Sequence, residues 1–219
     1  SSPAADLTEH FGARTVRTYQ VRYPASLGRL NALGSASGGI EGTEAATYGE
    51  SVTLGADDAA REMRTVARNC PDTRFILIGY SQGAHLIGDV AAEVGHGNVA
   101  GVGPDQVAAV VLFADPGRSG VGKQRPLAPA KLYAPAPKGQ LARGGELING
   151  GGSGVVPGRV GLAGERALSF AGLEGKVLSL CNAADMACST DPDSALRELA
   201  DVAMREEVVG PPNAATGMH

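Results

Sequence analysis

The segment Arg74-Phe75-Ile76-Leu77-Ile78-Gly79-Tyr80-Ser81-Gln82-Gly83-Ala84-His85-Leu86-Ile87 constrains this chain more than any other. A short apolar run ends in Gly-x-Ser-x-Gly, and an apolar, alanine-containing helical pattern starts at once. A strand that passes straight into a helix needs a very tight bend. Side chains at the two positions flanking that bend would collide with the neighbouring strand and helix, so glycine is expected at both. The serine between them is held in a strained backbone conformation, with its hydroxyl at the top of the sheet. The chain has 32 glycines in 219 residues. About 0.3 chance matches to the bare pattern are therefore expected. The buried-strand run before the serine and the helix after it give the pattern its meaning. Ser81 is read as a nucleophile rather than a structural turn serine.

At 219 residues the chain is expected to form one domain over residues 1–219, with a full core. Charged residues make up 19% and hydrophobic residues 43%, an ordinary globular balance. The net charge is -4, and no basic block interleaved with aromatics suggests nucleic acid. No apolar run approaches the roughly 20 residues needed to span a bilayer. Cys181 and Cys188 stand seven apart, a spacing that can close a small disulfide loop. Cys70 is left over, which suggests either a partner elsewhere or a free thiol. A disulfide implies an oxidising compartment. Neither Cys-x-x-Cys nor His-Glu-x-x-His occurs and the four histidines are scattered, so no metal and no cofactor is expected.

Along the chain, residues 3–11 read as a short helix ended by Gly12. Residues 14–23 are β-rich and closed by Pro24, and residues 25–45 read as loop. Residues 50–70 read as a helix interrupted at Gly55, with Val52, Ala56, Ala59, Met63 and Val66 on one face. Residues 75–78 form the strand before the serine, and residues 82–94 the helix after it. Residues 107–114 are a second buried strand, ending in Asp115-Pro116. Residues 117–161 are a Gly/Pro-rich insert with one β-like island at residues 131–133. Residues 176–181 are a third strand. Asp191-Pro192 starts a last helix to about residue 207, with Leu196, Leu199 and Val202 on one side. Strands alternating with helices predict an α/β fold: a central, mainly parallel sheet flanked by helices. Functional groups then gather at the carboxyl ends of the strands. Ser81, Asp115 and Asp185 all follow strands, so one sheet edge carries all three.

A serine hydroxyl needs an adjacent base, usually a histidine oriented by a carboxylate. In an α/β-hydrolase the order along the chain is serine, acid, histidine. Two acids compete. Asp185 lies inside the Cys181–Cys188 loop, which would hold it rigidly, and is the favoured acid. Asp115, before a proline, reads better as a strand-end turn residue. His10 precedes the apparatus and His96 sits in a helix-end Gly-His-Gly turn. His85 shares a helix with Ser81 and reads as a packing residue, because a triad base comes from a different loop. His219 alone follows Asp185.

Gly79-Tyr80-Ser81-Gln82-Gly83 resembles the elbow of the cutinases and cutinase-like serine esterases. Cys70-Pro71-Asp72 is similar to the Cys-Pro-Asp that precedes the elbow there. Cys181-Asn182-x-x-Asp185-x-x-Cys188 resembles the family's disulfide-clamped acid loop. These signatures span roughly residues 48–190. Within the family the chain looks most like the larger cell-envelope members of mycolate-bearing actinobacteria, which are lipases and phospholipases with thioesterase activity. The resemblance implies a cutinase-like α/β-hydrolase with Ser81 as nucleophile, Asp185 as orienting acid, His219 as base and the Gln82 N–H as an oxyanion-hole donor. It implies a lipid or acyl-ester substrate and a monomer. The Ala-Arg-Gly-type segment that supplies the family's second donor is missing, as is the upstream cysteine that pairs with the one resembling Cys70. The chain is therefore expected to be trimmed at both ends. Hydrolysis through an acyl-enzyme is the expected reaction. An acyltransferase of envelope lipids shares the same chemistry, and a non-catalytic envelope-binding protein shares the fold.

Overall fold

The computed structural model describes residues 3–12, 15–27, 46–118, 125–126, 147–148, 159–181 and 185–205. Helix α1 (Pro3–Phe11) stops at Gly12, whose φ of 86° lies in the left-handed region that suits glycine. Helix α2 (Tyr48–Asn69) opens with a capping box. The Thr47 hydroxyl accepts from the Glu50 N–H, and the Glu50 carboxylate accepts from the Thr47 N–H. The helix runs unbroken through Gly55, where an interruption was expected. A Cβ there would meet Leu86 Cδ2 at 2.6 Å and Tyr23 Cβ at 3.1 Å. Gly55 is therefore a place of close approach, not a break, and close packing outweighs its low helix propensity.

Among the described residues, three parallel strands form the main sheet in the order β1 (Phe75–Tyr80), β2 (Val107–Phe113) and β5 (Val177–Leu180). Ile78 pairs with Val111, which pairs with Leu178. Helix α3 (Gln82–Gly95) joins β1 to β2, the crossover that parallel strands require. It packs with α2 against one sheet face. There Leu77, Val110, Leu112 and Val177 meet Met63, Leu86, Val90 and Val94, all buried. On the opposite face Ile76 and Tyr80 are exposed. A two-residue parallel pair, β3 (Arg125–Pro126) with β4 (Leu147–Ile148), lies in the Gly/Pro-rich stretch. The β-like island at 131–133 falls outside the described residues.

Two further sequence expectations change. Residues 15–27 form no strand: Tyr19 and Arg22 instead tie this segment to α2, both donating to Asp58 Oδ2 at 2.6 and 2.9 Å. β-Propensity alone does not make a strand; a ladder partner does. Helix α4 (Ala195–Arg205) begins after Ser194, whose hydroxyl accepts from the Arg197 N–H, rather than at Asp191. It buries Ala200, while Leu196 and Leu199 face outward at 40% and 50% exposure. Among the described residues, no helix is long and apolar enough to cross a membrane.

Candidate active site

Ser81 sits between β1 and α3 with φ 53° and ψ −124°, a backbone conformation that typically costs about 1–3 kcal/mol. The turn is held from both sides. The Ser81 N–H donates to Phe113 O at 2.9 Å, and the Ser81 carbonyl accepts from the Ala84 and His85 N–H groups. Its hydroxyl does not cap the helix. The N–H groups of Gln82 and Gly83 lie in the first turn of α3, where N–H groups have no intrahelical acceptor. The bend needs glycine at one flank. A Cβ on Gly79 would lie 2.6 Å from Ala84 Cα and closer still to Gly83 O. A Cβ on Gly83 would meet only Tyr23 Oη, at 3.4 Å, an ordinary contact. The collision expected at both flanks exists at Gly79 alone, because Gly83 is already on the helix and faces outward from the strand.

The Gln82 side chain is buried and turned away from the turn. Its Nε2 donates to Ser26 O at 2.7 Å, and its Oε1 accepts from Ser51 Oγ at 3.1 Å. Ser51 Oγ also accepts from the Ser26 N–H. This triangle seats the Tyr23-Pro24-Ala25-Ser26 segment, with Ala25 at φ 53°, beside the elbow. Sequence reading missed Ser26 and Ser51; the compact Tyr-Pro-Ala-Ser run was its only signal.

The acid loop lies at the same sheet edge. Ser81 follows β1 and Cys181 follows β5, with β2 between them. Two inter-strand spacings set these strand ends roughly 10 Å apart. Cys181 and Cys188 form the disulfide. Asp185 Oδ1 accepts from the Ala187 N–H at 2.9 Å, and the Asp185 carbonyl accepts from Cys188 and Ser189. His219 lies outside the described residues.

Asp115 has another task. It is completely buried and both its oxygens are engaged. Oδ2 accepts from Arg166 Nη1 at 2.9 Å; Oδ1 accepts from Arg166 Nη2 at 3.1 Å and from the Gly117 N–H. Arg166 also donates to Asp89 on α3 and lies over the Phe170 ring. Burial works against the Arg166 charge, but Asp115 and Asp89 outweigh it and raise its pKa. His85 packs at the edge of this network. Its Nδ1 is 3.1 Å from Tyr48 Oη, and its Nε2 is 3.6 Å from Asp89 Oδ2. Burial lowers its pKa and favours the neutral ring. Cys70 is a free, exposed cysteine at the C-cap of α2. Among the described residues no cluster of three or more His, Cys, Asp or Glu could hold a metal.

A parallel sheet whose first strand delivers a serine into a strained turn before a helix, with a disulfide-bound acid loop at the same edge, defines an α/β-hydrolase. Residues 2–197 match the family model described as Cutinase, and the chain belongs to the cutinase family. A carboxylesterase Culp6 homolog of Corynebacterium glutamicum is 32% identical over 168 residues, covering 70% of this chain and 50% of that protein. A probable carboxylesterase Culp7 of Mycobacterium tuberculosis is 33% identical over 156 residues, 66% of this chain and 75% of its own length. The catalytic core domain of an acetyl xylan esterase from Trichoderma reesei shares the fold, with a TM-score of 0.51 at 22% identity over 90% of this chain and 82% of that one. The chain spans about half the length of the Culp6 homolog, and the match to carboxylesterase Culp1 covers 40% of that protein.

Proposed function

We propose that this chain carries the catalytic apparatus of a serine carboxylesterase. The strained, uncapped Ser81 at the head of α3 is the observation that carries this reading. In the proposed cycle His219 takes the Ser81 proton as the hydroxyl attacks an ester carbonyl. Asp185 holds the imidazole tautomer and stabilises the imidazolium. The oxyanion that forms is bound by the Gln82 N–H and a second donor. Losing one such donor typically slows turnover by about 10²–10³. His219 then protonates the departing alkoxide, leaving an acyl-enzyme. Water, deprotonated by the same histidine, releases the acid and restores Ser81.

The substrate class is an acyl ester of apolar character, including phospholipid esters and thioesters. Support comes from exposed Met186 beside Asp185 and exposed Leu27 beside Ser26, apolar side chains next to the machinery. The disulfide supports a secreted or cell-envelope setting, and the carboxylesterase names of the relatives support the reaction class. The test is covalent labelling with a fluorophosphonate, alongside hydrolysis of p-nitrophenyl butyrate. Label on the folded chain that disappears in Ser81→Ala is the expected result. Folded chain that takes no label overturns the reading in favour of a binding protein.

A further inference from the structure

The loop bearing Asp185 is gripped from outside as well as by its disulfide. The carbonyls of four successive loop residues accept hydrogen bonds from just two stretches of chain, at residue 118 and at residues 159–162. Ala187 O accepts from the Leu162 N–H at 2.9 Å, and Thr190 exchanges backbone bonds with Val160 at 2.8 and 2.9 Å. Ser189 O accepts from Arg159 Nη1 at 3.2 Å. Cys188 O accepts from Arg118 Nε at 2.6 Å. Arg118 is the keystone of this arrangement. Its side chain lies in a residue only 1% exposed, and its Nη2 donates to Arg159 O at 2.9 Å. One rigid guanidinium thus bridges the acid loop to the strip opposite. Its backbone joins in, since Arg118 O accepts from the Gly161 N–H and the Arg118 N–H donates to Asp115 O. Arg118 leaves the end of β2, the strand between the nucleophile strand and the acid strand.

We propose that Arg118 is a positioning residue for Asp185: its buried guanidinium, bonded to Cys188 O and Arg159 O, sets where the Cys181–Cys188 loop presents its carboxylate. The proposal rests on Asp185 being the orienting acid. A bound arginine fork fixes two carbonyls in one plane, a restraint that a disulfide at the loop's ends does not supply. Arg118 acts on the reaction through the loop and has no role toward substrate. Losing it displaces the carboxylate by a fraction of the loop's width, and misplacements near 1 Å can cost about 10²-fold in rate.

The experiment is a double-mutant cycle on the full chain with Arg118→Met, Asp185→Asn and the pair together. The readouts are fluorophosphonate labelling rate, kcat and KM for p-nitrophenyl butyrate between pH 5 and 9, and Tm. Arg118→Met is expected to lower kcat and labelling about 10–100-fold with KM within twofold. In the Asp185→Asn background it is expected to cost less than threefold, because the group it positions is already gone. Equal losses in both backgrounds show a general structural effect and overturn the proposal, as does a folded Arg118→Met protein with wild-type kcat. Should Arg118→Met not fold, Arg118→Lys carries the same cycle; it keeps the cation but lacks the fork, and about a tenfold loss confined to the Asp185 background is expected. A fully active Asp185→Asn protein overturns the acid assignment itself. A slow Asp185→Asn protein with unaffected Arg118 variants overturns only the positioning role.

Discussion

Alanine at the two glycines of the elbow should have opposite consequences, although the sequence pattern treats them alike. At Gly79 the added methyl would stand 2.6 Å from both Gly83 C and Ala84 Cα, all of it backbone. Gly83 O is nearer still at 2.4 Å, and ordinary contact begins at 3.4 Å, so the head of α3 must retreat by about 1 Å. No rotamer change can absorb this. The helix carries Ser81, the Gln82 N–H and the Gln82 side chain bonded to Ser26 and Ser51, so all of them move together. Overpacking of this kind costs about 1–3 kcal/mol, or roughly 2–12 °C in Tm for a chain of this size. A shift near 1 Å at reacting groups lowers rate by about 10²-fold. At Gly83 the methyl meets only Tyr23 Oη at 3.4 Å, so Gly83→Ala should stay within about 1 kcal/mol and a few-fold in rate. Fluorophosphonate labelling rates and thermal melts of both variants make the comparison. Equal damage at the two positions, or a harmless Gly79→Ala, refutes the steric account of the turn.

Three further outcomes are expected. Reducing the Cys181–Cys188 disulfide, or replacing both cysteines by serine, frees an eight-residue loop. Loop-closure entropy puts the loss at about 2.5 kcal/mol, measured as a fall in the unfolding free energy extrapolated to zero denaturant. Asp115→Asn removes one of the two carboxylates that hold Arg166 in the interior, so stability should fall by up to about 3–5 kcal/mol, whereas Asp185→Asn should spare Tm and cut kcat by about 10⁴. If Asp115→Asn left Tm intact while abolishing labelling, the two acids would have to exchange roles. His85 titrates below its ordinary value near 6.5 because burial disfavours its charged form. Its unfolded state therefore binds protons first as pH falls. The stability it contributes is present above about pH 6.5 and is lost progressively from there down through its folded pKa. Tyr48, Asp89, Arg166 and Asp115 all bear on this ring. His85→Gln should flatten the pH dependence of Tm below pH 6.5, and an unchanged slope counts against a neutral buried histidine.

The strained turn at Ser81 was legible because its geometry is local. Apolar strand, two glycines and an apolar helix stand within fourteen residues, and backbone sterics permit few other arrangements. The disulfide was legible for the same reason, from two cysteines seven apart. Local propensity read residues 14–23 as β-rich, but a strand exists only where a neighbour supplies its hydrogen bonds. It likewise read Gly55 as a break, when that glycine marks where Leu86 and Tyr23 crowd α2.

The chain order alone thus determines the strained turn at Ser81, since such a turn can be written in five consecutive residues. What each acid is bonded to was a matter of its three-dimensional surroundings. Asp115 and Asp185 both follow strands, and only the arrival of Arg166, 51 residues from Asp115, turns the first into a buried structural pair. Arg118 gives no sign in its neighbours of reaching Cys188, 70 residues away. Such contacts depend on how distant segments pack, and packing is a property of three-dimensional neighbours that no short window of sequence contains.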